Sequence, residues 1–222
     1  MAGARTSRLN KPVRQIGVGS VDPSLGMGRG FLANAALAEL TNVRFIQGDW
    51  LAVEPPIGTV ALVNHVTYLT RDIVPFIRKL EVAGPRRVII TVNSPPPPNL
   101  HHRLYRHVYG EMEVPIPGHE SLMAVLWELG VQPDLVMLPN PSNRLPPSKS
   151  KEAAISAAMG VFRNEQWALW PFEPSLEARV RDLLESGFEQ FFRTDADGIQ
   201  ANWVTHGREV LITWRPGIDV LV

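Results

Sequence analysis

Two carboxylates stand where an α/β sheet would present them to a ligand. Asp22 closes the strand-like run at residues 13–21, and Asp49 follows the run at 42–47. In open parallel sheets, ligands sit outside the carboxyl ends of the strands. A carboxylate there can accept hydrogen bonds from both hydroxyls of a ribose. A second one, a strand–helix unit later, can accept from an adenine amino group, and Trp50 offers an apolar plane to flank a purine. The plainer reading is that Asp22 caps a helix and Asp49 begins a turn. Spacing alone does not separate the two. His65 ends a third apolar run, residues 59–63, where an imidazole could act as a general base or position a substrate. A hydrogen bond to a loop is its plainer alternative.

Other groups carry less. His101, His102 and His107 share one predicted helix with Arg103 and Arg106. His102 and His107 are five residues apart, the wrong spacing for two ligands on one helical face, so a solvated or substrate-facing helix is expected. His119, Glu120, Glu111 and Glu113 could reach a pocket mouth, or simply cap. With no cysteine in the chain, thiolate nucleophiles and cysteine metal sites are excluded, and no metal is expected. Gly26, Gly28 and Gly30 form a Gly-x-Gly-x-Gly pattern, but it follows the acidic strand end, and a dinucleotide fingerprint should precede it. A weakened helix start explains it better.

The elements that must position these groups alternate. Strand-like runs at 13–21, 42–47, 59–63 and 87–92 are separated by helical patterns, the first capped by Ser24 and continuing to Leu40. A second helix, 72–80, carries an early interruption at Pro75. Continuous apolar strands between helices indicate a mostly parallel sheet covered on both faces, so the class is α/β. Helices are expected at 100–109, 120–129, 151–159 and 175–186, with a strand at 134–138. Residues 139–150, rich in Pro, Ser and Asn, read as a linker. Residues 198–214 read as a hairpin around His206 and Gly207. Trp127, Trp203 and Trp214 are assigned to the core. Trp167 and Trp170 could close a substrate pocket, but a hydrophobic cluster that docks the C-terminal segment is the preferred reading. Residues 1–140 are taken as the core and 141–222 as an extension returning that hairpin to the sheet.

The 222 residues carry 22 Lys+Arg and 22 Asp+Glu, which removes the electrostatic case for binding nucleic acid or an anionic membrane. No stretch of about 18 apolar residues exists, and residues 1–15 lack the apolar core of a signal peptide, so a cytoplasmic protein is expected.

Val21-Asp22-Pro23-Ser24 with Met27, followed by residues 42–50 (NVRFIQGDW), resembles the class I S-adenosylmethionine-dependent methyltransferases. The first segment is similar to the acidic segment after that family's second strand, and the second to its third strand and adenine contact. Asn64-His65-Val66-Thr67-Tyr68 resembles the end of its fourth strand. Pro117-Gly118-His119-Glu120 and Thr213-Trp214-Arg215-Pro216-Gly217 also fit. The resemblance implies a Rossmann-like sheet and S-adenosyl-L-methionine as cofactor. Asp22, Pro23, Ser24 and Met27 would hold the ribose side, and Gly48, Asp49 and Trp50 the adenine. Asn64, His65 and Val66 would hold the methionine end, and His65 and Tyr68 would meet a small-molecule methyl acceptor.

One departure stands against it. The family opens with a strand, a glycine-rich loop and a helix, a unit of roughly 30 residues or more, whereas 21 residues precede Asp22. The first strand–helix unit is therefore expected to be shortened or missing, with Gly17 to Gly19 as its only glycine remnant. The rival expectation is a non-catalytic remnant or scaffold subunit, whose open sheet favours a homo-oligomer.

Overall fold

The computed structural model describes residues 17–110, 115–142, 146–163, 174–203 and 207–219. The chain falls into two compact units, Met1–Ala61 with Asp72–Val88 and Leu62–Arg71 with Ile89–Val222. Among the described residues no helix is long and apolar enough to cross a membrane.

The first unit is built on one strand–helix–strand crossover. β1 (Val18–Asp22) and β2 (Val43–Gln47) pair in parallel, from Val18 opposite Val43 to Asp22 opposite Gln47. Between them runs α1 (Leu25–Leu37). Ser24 adopts the extended conformation of an N-cap, and its Oγ accepts from the Met27 N–H at 3.3 Å. The Gly-x-Gly-x-Gly residues lie inside this helix, and Gly28 is buried there for a packing reason. A Cβ at position 28 would stand 2.3 Å from the Phe45 ring, so the helix closes on β2 only where a side chain is lacking. Gly28→Val is expected to cost about 1–2 kcal/mol, because Phe45 must swing aside. A lowered urea midpoint at unchanged m-value would show it.

α2 (Ile73–Ala83) is not interrupted. Pro75 falls in its first turn, where the missing N–H would have had no partner within the helix. Phe76, Ile77, Leu80 and Ala83 form its buried stripe.

A four-stranded sheet runs in the order β3 (Val60–Asn64), β4 (Arg87–Ser94), β8 (Gly207–Trp214), β5 (Asp134–Ser142). β8 alternates, with Val210, Ile212 and Trp214 fully buried and Glu209 turned the other way. A second cluster joins α3 (His102–Tyr109), α5 (Lys151–Phe162), α6 (Pro174–Ser186) and the short α7 (Phe188–Phe191) around Leu104, Ile155, Met159 and Leu184. α4 (His119–Glu128) completes the helices. The α/β class holds.

Several local expectations change. Residues 198–214 are not a hairpin. β7 (Gly198–Ala201) pairs antiparallel with β6 (Phe192–Asp195), while β8 pairs with β5, so a single strand returns to the larger sheet. The linker at 139–150 begins inside β5, where Pro141 lies opposite Arg208. β5 is the last strand in the sheet order, and an edge strand tolerates residues without an N–H. Residues 140 and 141, the boundary drawn from sequence, therefore fall within one strand. Trp203 and Trp214 are buried, but Trp127 is 61% exposed on α4. Trp167, Trp170, Glu111, Glu113, His206 and residues 13–16 of the first strand-like run lie outside the described residues.

Candidate functional site

The first unit brings the two carboxylates to the same edge. Because β1 and β2 run parallel in register, Asp22 ends one strand opposite Gln47, and Asp49 stands two residues beyond. The Gly48 N–H donates to the Asp22 carbonyl at 3.1 Å and ties the ends together. Asp22 Oδ1 accepts from the Ser24 N–H at 2.7 Å, and Asp49 Oδ1 accepts from the Leu51 N–H at 2.7 Å. Asp49 thus begins a turn, as its plain reading has it, whereas Asp22 closes a turn one step before the helix and leaves the cap to Ser24. One such bond leaves an ionised carboxylate with further acceptor capacity, and the turn fixes its orientation at the strand end. Pro23, Ser24 and Met27 are exposed beside Asp22.

Trp50 is anchored rather than open. Its indole N–H donates to the Phe76 carbonyl at 3.4 Å, and its ring lies 6.0 Å from that of Phe76, tilted 56°. Lys79 stands 5.7 Å over the indole and donates to the carbonyls of Leu51 and Val53 at 3.0 and 2.5 Å. These contacts pin the turn after β2 to α2. Gly17 to Gly19 do not form a loop: Gly19 is a paired residue of β1, opposite Arg44 and packed under Pro56.

The second unit builds a chain of polar groups around His65. This residue leaves the end of β3 with φ at +56°, a left-handed conformation that costs a non-glycine residue about 1–2 kcal/mol. The position is over-determined. The His65 N–H donates to the Thr91 carbonyl at 2.9 Å, Nδ1 lies 3.3 Å from the Tyr68 hydroxyl, and Nε2 lies 3.2 Å from Glu209 Oε1. Tyr68, in a 3-10 turn at Thr67–Leu69, is buried, and its oxygen accepts the Asn93 N–H. Burial pushes the phenol up to about 12, opposed by the Asn93 bond and reinforced by the Glu209 charge. Tyr68 is therefore a neutral hydrogen-bonding group at working pH. Asn64 is exposed, and its side-chain oxygen accepts from the Thr91 hydroxyl; Val66 is exposed beside it.

Sequence reasoning missed Glu209, Asn93 and Thr91. The alternation of β8 turns Glu209 away from the buried face, but only the sheet pairing brings it to His65.

The remaining histidines separate. His101 has a buried Nδ1 with no hydrogen-bond partner among the described residues, and burial lowers its pKa to about 4. His107 meets the ring of Phe191 edge to face at 5.1 Å, and His119 Nδ1 lies 3.0 Å from Glu120. Among the described residues no group of three or more His, Asp or Glu could hold a metal ion.

No family model and no curated protein matches this chain. Among solved structures, the YcgJ protein of Bacillus subtilis is similar over 91% of this chain and 84% of its own, at 13% identity and a TM-score of 0.50. The [4+2]-cyclase SpnF is similar over 90% and 67%, at 12% identity and 0.48. A geranyl diphosphate methyltransferase, solved with SAM, is similar over 89% and 68%, at 11% identity and 0.45. At such identities the likeness to YcgJ establishes a shared fold alone, the Rossmann-like α/β fold that the sequence implied.

Proposed function

We propose that this chain binds S-adenosylmethionine and transfers its methyl group to a small-molecule acceptor. The observation that carries the reading is the pair of carboxylates at the level carboxyl ends of β1 and β2. Two acceptor groups on neighbouring strand ends suit the hydroxyls and exocyclic amine of an adenosine. Asp22, with Pro23, Ser24 and Met27 beside it, would take the ribose side, and Gly48, Asp49 and Trp50 the adenine. Asn64, His65 and Val66 would face the methionine end. The cofactor supplies a methyl group on a positively charged sulfur, and the protein's part is to position a nucleophile and receive its proton. A formal net charge of zero suits a small acceptor better than a nucleic acid.

A second reading, an inert relative of such enzymes, is favoured by the fate of Gly17 to Gly19. They are absorbed into β1 and its approach, and so do not supply the backbone donors that a glycine loop gives. Isothermal titration with S-adenosylmethionine and S-adenosylhomocysteine decides between the two. Binding with Kd on the order of micromolar, weakened at least tenfold by Asp22→Ala (about 1.4 kcal/mol), supports the enzyme. A folded chain that takes up neither compound is the remnant.

A further inference from the structure

We propose that Glu209 anchors the cationic nitrogen of an amine whose apolar body lies on the open face of the larger sheet, beside His65. Of the three side chains gathered there, only this carboxylate has an atom to offer a ligand. Both ring nitrogens of His65 are engaged, Nδ1 with the Tyr68 hydroxyl at 3.3 Å and Nε2 with Glu209 Oε1 at 3.2 Å. Tyr68 is buried and bonded to Asn93 as well. Glu209 meets His65 through Oε1 and has no other partner among the described residues. A carboxylate accepts at both oxygens, so Oε2 stands open.

The charge on that group is not balanced. No Lys or Arg among the described residues pairs with it, and an imidazole carries a charge only when protonated. Glu209 keeps 32% of its side-chain surface open. It is reachable, yet withdrawn enough from water to attract a cation more strongly than a fully solvated carboxylate does. The contact with His65 fixes its direction, and His65 is held in turn by its N–H bond to the Thr91 carbonyl.

The surface beside it is apolar. One face of the sheet is buried at Val63, Ile90, Val92, Val210 and Ile212. The alternate residues lie on the other face. There the Thr91 hydroxyl bonds to the Asn64 side chain, which puts Leu62 and Ile89 on the same side, and Leu211 follows Glu209 two residues along β8. Leu62 is 66% exposed, and Ile89 and Leu211 are half-buried. Apolar strands with one uncovered face call for an occupant. Charge decides its chemistry: a pure hydrocarbon would strip water from Glu209 and give nothing back, whereas an ammonium pairs with it. That this amine is the methyl acceptor rests on the methyl-transfer reading; the site itself does not.

The test is a titration of the ligand-free chain at pH 7 with 2-phenylethylammonium and with 2-phenylethanol, a neutral counterpart of similar shape, followed through the backbone amide NMR signals. The ammonium is expected to shift the amides of Leu62, Glu209 and Leu211, and to bind at least about tenfold more tightly than the alcohol. Glu209→Gln should abolish that preference and leave the alcohol's affinity as it was. Glu189→Gln, at an exposed position of α7, should change neither. Leu62→Ala alters an exposed side chain and should weaken both ligands alike, so the proposal stays testable should Glu209→Gln fail to fold. Equal binding of the two ligands, a preference that survives Glu209→Gln, undiminished binding in Leu62→Ala, or no binding by a folded chain overturns the proposal. Signals of Leu62 and Leu211 that broaden with protein concentration while neither ligand binds would assign the face to a second copy of the chain, and overturn it equally. S-adenosylmethionine takes no part in the titration. A chain inert to that cofactor but selective for the ammonium would therefore keep the site and lose only its place in methyl transfer.

Discussion

Gly84→Val is expected to lower the stability of the protein by about 3 kcal/mol, near the top of the range for overpacking. Gly84 caps the C-terminus of α2, and its N–H donates to the Leu80 carbonyl at 2.8 Å. Its φ of −128° is open to any residue, so the constraint is space. A Cβ there would stand 2.2 Å from the Ala61 backbone nitrogen and 2.7 Å from the Ala61 Cβ. At Gly28 the obstacle is a ring that can rotate. At Gly84 it is the backbone of β3, which can move only by giving up sheet pairing. The same turn is held to the chain before β3 by the Gly58 N–H to the Ala83 carbonyl at 2.8 Å and the Arg86 N–H to the Thr59 carbonyl at 3.2 Å. The urea midpoint should therefore fall much further than for Gly28→Val. A loss no greater than that of Gly28→Val would show that the helix end can lift away freely.

Acid should act on the protein through His101. Burial holds this imidazole neutral down to about pH 4, whereas in the unfolded chain it protonates near 6.5. Between those values the unfolded state binds the additional proton, so stability declines as the pH falls through this window. The contribution is fully present above pH 6.5, and its loss by pH 4 is on the order of 3 kcal/mol, a large share of a typical domain's stability. His101→Phe keeps an apolar ring beside Tyr105, whose ring lies 6.3 Å from the imidazole. The difference in unfolding free energy between wild type and variant should rise with pH from 4 to 6.5 and level off above it. A difference that does not vary over that range would mean that water reaches the ring.

What was legible in the sequence was local. Ser24 as a cap, the amphipathic character of α2 and the strand-like run of β8 are properties of a few neighbouring residues, and short-range physics fixes them. Strand partners were not legible. β7 and β8 follow one another along the chain as the strands of a hairpin would, but one joins β6 and the other inserts beside β5, a choice made by distant contacts. The run Pro139 to Ser142 looked like a linker because prolines lack a donor, and an edge position removes that objection. The two carboxylates were visible because strand ends are visible. Glu209 was not, since its meaning depends on which strand lies next to β4. Trp127 shows the reverse case, a residue type that suggests burial standing on an exposed part of its helix.

The placement of β8 has a consequence for synthesis. The strand at Gly207–Trp214 lies between β4 and β5, which finish at Ser94 and Ser142. While the ribosome makes the intervening residues, β4 and β5 have no strand to join them, and each presents a row of unpaired backbone groups. Val210, Ile212 and Trp214, buried in the finished sheet, are then still to come. The larger sheet can close only after β8 has emerged. Until then the nascent protein is a natural client for chaperones, and slow translation between β5 and β8 prolongs the interval in which it can aggregate.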